Sequence, residues 1–104
     1  MILEMVEVTV KEGTHKQFED TFDEAMAIFE RAKGCISARL MRVIEDPNRY
    51  RLFVHWETLE SHTEDFRNSP DYERFRSLAR PYVERAVPPE HHSVVHPGFT
   101  KPER

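Results

Sequence analysis

Apolar residues lie on both faces of the predicted β-strands, and this feature limits the possible folds most. Residues 2–10 alternate with a period of two, and the apolar positions of one face are Val6, Val8 and Val10. Leu3 and Met5 make the opposite face partly apolar as well. A sheet built from such strands needs helices over one face and a second apolar surface over the other.

A predicted helix follows this first strand. Thr14 and Gln17 have the spacing of a capping box at its start, and Gly34 stands just past its end. The apolar residues at helical spacing are Phe18, Phe22, Ala25, Met26, Phe29 and Ala32. Charged residues occupy the other side, so one face of this helix is expected to cover the sheet.

Residues 35–56 are predicted to form a β-hairpin. Its turn is the tetrapeptide Asp46-Pro47-Asn48-Arg49. One face of the second strand is predicted to carry Ile36, Ala38, Leu40 and Ile44. In the third strand the residues of one face are Leu52, Val54 and Trp56, and those of the other are Phe53 and His55. Both strands therefore repeat the two-faced pattern of the first.

Two helical segments and a last strand are predicted after the hairpin. Thr58 caps a short helix, Ser69 with Pro70 begins the next one, and Pro81 ends it. The inward positions of these helices are Leu59, His62, Thr63, Phe66, Tyr72, Phe75, Leu78 and Ala79. Pro88-Pro89 predicts a stiff break before a polar strand at residues 90–96.

The order β-α-β-β-α-β predicts an α+β domain of the ferredoxin-like type, with an antiparallel sheet and helices on one face. We expect this single domain to occupy residues 1–97, and residues 98–104 to form a C-terminal tail. The uncovered face of the sheet predicts a two-fold homodimer, in which two sheets pack face to face.

Charge and composition exclude several partners. The net charge is −4 and the basic residues are scattered among acids, so no nucleic-acid partner is expected. No apolar run approaches the roughly 20 residues that cross a bilayer, and the N-terminus lacks the features of a signal peptide. We therefore expect no membrane partner and a cytoplasmic location. Cys35 is the single cysteine, which excludes an internal disulfide.

Two segments resemble the antibiotic biosynthesis monooxygenase family: YRLFVHWETLESHTEDFRNSPDYERFR at 50–76 and PPEHHSVVH at 88–96. The most specific part of this resemblance runs from Trp56-Glu57 to Tyr72. The resemblance implies a dimeric α+β barrel in which each subunit holds a pocket between its sheet and its helices. Characterised members of the family include cofactor-free oxygenases of polycyclic phenols and quinols, haem-degrading enzymes and isomerases.

The reaction that this resemblance implies is a cofactor-independent monooxygenation of a small aromatic phenol or quinol. Molecular oxygen is then the co-substrate, and no cofactor is bound. Such a reaction needs a dry aromatic pocket, a base that draws the substrate towards its phenolate, and groups that stabilise a peroxide. Two alternatives stay open: a non-catalytic ligand-binding or interaction module on the same barrel, and a small-carbonyl isomerase.

His62 is the predicted catalytic base, because an imidazole titrates near neutral pH and this one lies on an inward helix face. The alternative is a core histidine whose nitrogens are satisfied by other groups. The predicted substrate-binding residues are Trp56, Phe66, Tyr72, Phe75 and His92. For the aromatic residues the alternative is ordinary core packing.

Metal and haem chemistry are not expected. The C-terminal histidines His91, His92 and His96 lack a cysteine or acid cluster that would complete a metal shell, so no metal site is predicted. An imidazole that reaches the pocket from the last strand is favoured instead, and we assign that position to His92. Haem-degrading relatives use an asparagine on the first strand, a tryptophan and a histidine. The first strand here has no asparagine, and Asp65-Phe66 and Arg76 lie near the other two positions.

Overall fold

One antiparallel sheet of four strands carries the fold, with helices over one of its faces. The structure is a computed structural model that describes residues 1–103. Its strands are Ile2–Val10 (β1), Cys35–Arg42 (β2), Arg49–Trp56 (β3) and Val83–Ser93 (β4). Its helices are His15–Asp20 (α1), Phe22–Arg31 (α2) and Pro70–Ala79 (α3), with a π-helical turn at Ser61–Phe66 and a 3-10 turn at Arg80–Tyr82. The strand order β2-β3-β1-β4 confirms the predicted ferredoxin-like α+β class.

The core lies between the sheet and helices α1 and α2. Alternate residues of β3 point into it, and Val54 and Trp56 are 0% exposed. The helices contribute Phe18, Ile28 and Phe29, none of them more than 2% exposed. The inner face of α3 is only half-buried against this core, at Tyr72, Phe75, Leu78 and Ala79. Because each fully buried large apolar side chain contributes about 2 kcal/mol, α3 is the more loosely held layer.

The predicted first helix is divided at Thr21 into α1 and α2. The Thr21 hydroxyl donates a 2.6 Å hydrogen bond to the carbonyl of Phe18, and such bonds to the preceding turn bend helices. The predicted capping box is wrong, since no side-chain hydrogen bond caps this helix start. The Thr14 hydroxyl instead donates to the carbonyl of Lys11 at 2.6 Å, so a tight turn leads into α1.

The turn between β2 and β3 is confirmed. The Arg49 N–H donates to the carbonyl of Asp46 at 2.9 Å, which closes a four-residue turn. The Asp46 side chain also accepts from the Asn48 N–H at 3.3 Å. An aspartate that binds the backbone two residues on is the expected turn chemistry for this tetrapeptide.

Two apolar residues of the hairpin are exposed, although the sequence predicted that they share one apolar face with Ala38 and Leu40. The pairing of β2 with β3 shifts between Cys35 and Ser37, so Ile36 forms a bulge and is 50% exposed. Ile44 lies beyond the end of β2 and is 90% exposed. Period-two counting fails at both places because it assumes a straight, uninterrupted strand.

β4 runs through Pro88-Pro89, where the sequence predicted a break and a strand that begins at residue 90. β4 is an edge strand that pairs only with β1, and an edge tolerates residues that have no N–H. The register with β1 shifts beside Val6, so the two prolines form a bulge within the strand. The strand ends at Ser93.

The sheet face opposite the helices has an apolar centre, which we call the open face. It consists of Leu3, Met5 and Phe53, which neighbour one another across β1 and β3. An ion pair between Arg51 Nε and Glu7 Oε1, at 3.0 Å, flanks it. The second apolar face that the sequence predicted is therefore present.

Gly34 allows the turn after α2 to approach the π-helical turn. Its φ is +81°, a conformation that side chains disfavour, and its carbonyl accepts from the Glu57 N–H at 2.8 Å. A Cβ atom on Gly34 would lie 2.7 Å from the Cβ of Ser61 and closer still to its hydroxyl. Glycine is therefore required here both for backbone conformation and for space.

Gly34→Ala is expected to destabilise the protein more than Gly13→Ala. Gly13 has nearly the same φ, +79°, but a Cβ atom on Gly13 would meet nothing within 4 Å, so this position isolates the backbone effect. We expect Gly13→Ala to lower the free energy of unfolding by about 1 kcal/mol and Gly34→Ala by about 2–4 kcal/mol. Urea denaturation measures both. Equal losses would show that the approach to Ser61 is not tight.

Candidate active site

A buried carboxylate, Glu4, lies at the floor of the site. It is 6% exposed and is one of the β1 residues whose side chains point towards the helices. The Trp56 Nε1–H donates to Glu4 Oε1 at 2.9 Å. Burial raises the pKa of Glu4, while this hydrogen bond and the charge of Arg67 act in the opposite direction. Glu4 was not predicted from the sequence, although a glutamate in phase with three inward valines was the available signal.

His62 is carried by the π-helical turn. The Ser61 N–H donates to Thr58 Oγ1 at 3.1 Å, which confirms Thr58 as a cap. The Arg67 N–H donates to the carbonyl of His62, five residues back, at 3.1 Å. This wide turn replaces the predicted ordinary helix. Leu59, which was predicted to face inward, is 41% exposed, because residues three or four apart no longer share one face in so wide a turn.

Side chains enclose His62 on three sides. Its ring stacks on the Trp56 indole, with centroids 5.4 Å apart and planes at 16°. Its Nε2 lies 3.4 Å from Glu4 Oε2, and its Nδ1 lies 2.7 Å from His91 Nε2. We call these three residues the Glu4–His62–His91 chain. Each nitrogen of His62 thus faces another titratable group, so His62 lies between Glu4 and His91.

His62 is uncharged at neutral pH. Burial lowers its pKa from 6.5 to about 4, with further lowering by His91 and Arg67. The pKa of His91 is also lowered, first by burial and then by Arg67 and His92. Two neutral imidazoles form a hydrogen bond only when one donates and the other accepts. The chain therefore has two alternative proton arrangements.

The structure brings His91 to the site and turns His92 away from it. The register pairs His91 with Glu4 and His92 with Leu3. Adjacent strand residues point to opposite faces, so His91 shares the inward face of Glu4. His92 is exposed, with its Nδ1 3.1 Å from the carbonyl of Leu3. The sequence favoured His92 over His91 because alternation separates the two histidines without telling which of them faces inward.

A cavity of about 110 Å³ adjoins Glu4 and His62, between the sheet, the π-helical turn and α3. Its apolar and aromatic walls are Val6, Phe29, Leu52, Phe66, Tyr72 and Phe75. Arg67 and Arg76 also border it. Three residues predicted to bind substrate, Phe66, Tyr72 and Phe75, therefore line one cavity. Trp56 lies behind His62 and supports the polar floor through its stacking and its hydrogen bond to Glu4.

Larger and more open depressions lie elsewhere on the surface, with volumes of about 270, 260 and 290 Å³. Their linings contain none of the polar side chains that are buried in residues 1–103, which are Glu4, Ser61 and His62. Strongly perturbed titratable groups are typical of functional sites. The smaller cavity is therefore the candidate active site despite its volume.

The Glu4–His62–His91 chain does not have the arrangement of a metal site. Within residues 1–103, no group of three or more His, Cys, Asp or Glu side chains could hold a metal ion. His62 uses its two nitrogens for two different neighbours, so the three side chains form a line and do not converge on one point.

Among residues 1–103, every helix is too short or too polar to span a membrane.

Comparisons with known proteins lead to one family. Residues 1–78 match the profile of the family described as antibiotic biosynthesis monooxygenase. An uncharacterized protein of Bacillus subtilis strain 168, YczJ, is 41% identical over 78 residues, which are 75% of this chain and 82% of YczJ. A crystal structure from Bordetella bronchiseptica with the same family description is 36% identical, with a TM-score of 0.87 over 91% of this chain and 97% of its own. SnoaB of Streptomyces nogalater, described as a cofactor-independent oxygenase, shares the fold with a TM-score of 0.77 at 20% identity, over 98% of this chain and 97% of its own.

Lowering the pH from 7 to 4 is expected to destabilise the protein in part through His62. Its pKa is about 4 in the folded protein, against about 6.5 in the unfolded chain, so the unfolded chain binds the proton first. The stability that comes from the neutral imidazole is present above pH 6.5 and is lost as the pH falls towards 4. The loss amounts to about 3 kcal/mol.

Urea denaturation of the wild type and of His62→Gln at both pH values measures this contribution. We expect the wild type to lose about 3 kcal/mol more than His62→Gln. His92→Gln is the control, because it removes an exposed histidine on the other face. If the wild type and His62→Gln lose the same stability, the pKa of His62 is not lowered as described.

Proposed function

Because the chain belongs to the antibiotic biosynthesis monooxygenase family, we propose that it oxygenates a small phenol or quinol with dioxygen and no bound cofactor. Membership confirms the sequence resemblance. The observation that carries the proposal is the aromatic cavity with Glu4 and His62 at its floor, since a cofactor-free oxygenase needs a base in a dry pocket. The description of SnoaB as a cofactor-independent oxygenase supports the reaction class.

The volume of the cavity favours a substrate with a single aromatic ring. A cavity of about 150 Å³ in another protein binds benzene, and this one holds about 110 Å³. A single ring therefore enters when the walls move slightly, whereas a polycyclic ring system exceeds the space beside Phe29 and Phe66. The wall that can move is α3, whose Tyr72 and Phe75 are only half-buried.

Glu4 and His62 act as an acid–base pair in this proposal. Burial raises the pKa of Glu4 and lowers the pKa of His62, so it disfavours the charged form of each. Both residues border the cavity, and 3.4 Å separates Glu4 Oε2 from His62 Nε2. His62 keeps the base role predicted for it, but it acts together with Glu4, since both of its nitrogens already face protein groups.

The reaction balances without an external reductant. Transfer of a hydroxyl proton to the Glu4–His62 pair gives a quinolate, which passes an electron to dioxygen and recombines with superoxide at a ring carbon. The pair returns the proton to the peroxide oxygen. Loss of the proton on that ring carbon and cleavage of the O–O bond then give a hydroxyquinone and water, and the quinol supplies all four electrons. Arg67 and Arg76 supply positive charge near the peroxide.

Oxygen uptake with monocyclic hydroquinones tests the proposed reaction. We expect one dioxygen consumed per quinol, a hydroxyquinone as product and no hydrogen peroxide, which is the product of spontaneous oxidation. Glu4→Gln and His62→Gln are each expected to lower kcat/KM by about 10²–10⁴-fold. Glu60→Gln is the control, because Glu60 is exposed. Unchanged uptake in both site variants, or peroxide in equal amount to the quinol, would contradict the proposal.

Isomerisation of a small carbonyl compound is the second candidate function. The observation that favours it is the small cavity with one buried carboxylate, whose raised pKa suits the transfer of a proton between carbon atoms. Deuterium incorporation next to the carbonyl, followed by NMR in heavy water without oxygen, distinguishes this reaction. Ligand binding without oxygen uptake or deuterium incorporation would leave the non-catalytic binding module.

We also propose that two copies of the chain pair through the open face. Leu3, Met5 and Phe53 form an apolar centre there, and no helix of residues 1–103 lies on that side of the sheet. The family resemblance implies a dimeric barrel, in which a second sheet supplies the missing layer. Face-to-face packing of sheets is the usual way to bury such a surface.

Phe53→Glu is expected to convert the dimer into a monomer. A charge at the centre of the open face leaves an unpaired carboxylate in the interface, which costs several kcal/mol. Sedimentation at micromolar concentration should give twice the chain mass of 12.4 kDa for the wild type and the single mass for the variant. Leu59→Glu is the matched control, since it places the same charge at an exposed leucine outside the sheet. A monomeric wild type would contradict the proposed dimer.

A further inference from the structure

We propose that His91 connects the buried Glu4 carboxyl group to solvent through His62, so that Glu4 loses and regains its proton along the Glu4–His62–His91 chain. His91 acts through His62 and does not border the cavity, so it is a positioning and proton-transfer residue. The catalytic consequence rests on the proposed function, whereas the proton path itself does not.

Three elements of the fold hold the path in line. Glu4 projects from β1, His62 from the π-helical turn, and His91 from the position on β4 that pairs with Glu4. The separations are 3.4 Å from Glu4 Oε2 to His62 Nε2 and 2.7 Å from His62 Nδ1 to His91 Nε2. An imidazole can accept a proton at one nitrogen and release another from the second. The two rings therefore span the distance from Glu4 outwards without an intervening water.

The outer end of the path reaches solvent. Within residues 1–103, the buried side-chain nitrogen and oxygen atoms without a hydrogen-bond partner are His15 Nε2 and Arg49 Nε. The second nitrogen of His91 is not among them and has no protein partner there, so it is accessible to water. His91 is half-buried, whereas Glu4 is 6% and His62 is 3% exposed. A ligand in the cavity covers the other approach to Glu4, which leaves the chain as its exit.

Each passage along the chain moves one proton. When Glu4 is protonated, its hydroxyl donates to His62 Nε2, His62 Nδ1–H donates to His91 Nε2, and His91 Nδ1–H donates to water. The proton on His91 Nδ1 passes to water together with an outward shift of the other two protons by one position. Glu4 is then ionised, and His62 carries its proton on Nε2. A proton that enters at His91 reverses each shift, so the two proton arrangements of the chain are the two ends of this cycle.

The surrounding charge disfavours a proton that stays on either imidazole. Arg67 lowers the pKa of His62, His91 and Glu4 alike, so it favours neutral rings and an ionised carboxylate. Other charged or titratable groups near the chain are His92 on β4, Arg76 on α3 and Cys35 on β2. The chain thus returns Glu4 to its basic form and leaves no charge on His62.

Exchange of the His62 ring proton with water tests the path. In protein labelled with ¹⁵N-histidine and ¹⁵N-tryptophan, we expect His91→Phe to slow this exchange at least tenfold. Phenylalanine still fills the position with an aromatic ring, but it has neither of the nitrogens that pass the proton. His92→Phe is the matched control, since the neighbouring histidine faces away from the site, and it should leave the rate unchanged. The Trp56 indole proton binds Glu4 outside the path and should exchange equally slowly in all three proteins.

His91→Gln replaces His91→Phe if the latter does not fold, because an amide keeps a hydrogen bond to His62 but does not pass a proton. Unchanged His62 exchange in the variant overturns the path. With a monocyclic quinol, His91→Gln should lower kcat at least tenfold and leave KM within twofold, and imidazole buffer should restore activity to His91→Ala. An unchanged kcat overturns the catalytic consequence. If exchange is slowed in the His91 variant and the wild type takes up no oxygen, the path is supported and the proposed function alone is overturned.

Discussion

The hydrogen bond from Trp56 Nε1 to Glu4 Oε1 holds together the parts of the molecule that form the site. A carboxylate that is 6% exposed costs several kcal/mol unless it is paired, and the indole N–H at 2.9 Å supplies the partner. The bond joins β1 to β3 near their ends and fixes the indole plane on which His62 stacks. It also leaves the second carboxylate oxygen facing His62. The hydrogen bond between Trp56 and Glu4 therefore sets which way the Glu4–His62–His91 chain runs from the carboxylate.

Backbone shape, more than core packing, brings His62 to that oxygen. The π-helical turn carries His62 inward and Leu59 outward, and Gly34 leaves the space that Ser61 needs at its start. The opposite wall of the cavity is α3, whose inner residues are only half-buried. The site therefore combines a fixed polar floor with a wall that can adjust to a ligand.

Period-two and helical spacing sufficed for the order of strands and helices and for the fold class, because burial follows those periods wherever an element is regular. They also placed His62 and Phe66 on inward faces. They could not choose between His91 and His92, since alternation separates neighbours and only the register with β1 tells which one faces inward. Glu4 was missed for another reason. A glutamate at an inward strand position is explained only by the group that binds it, and that group, Trp56, lies 52 residues away in the sequence.

The prolines in β4 also influence how the molecule meets other chains. The free edge of a sheet offers unpaired N–H and C=O groups, to which a foreign strand can attach. Of two adjacent strand residues, one N–H points to the neighbouring strand and the other points outward, so Pro88-Pro89 removes a donor from each side. The bulge turns the remaining groups of this edge out of line. Aggregation by strand addition is thereby hindered along β4, the edge that carries His91.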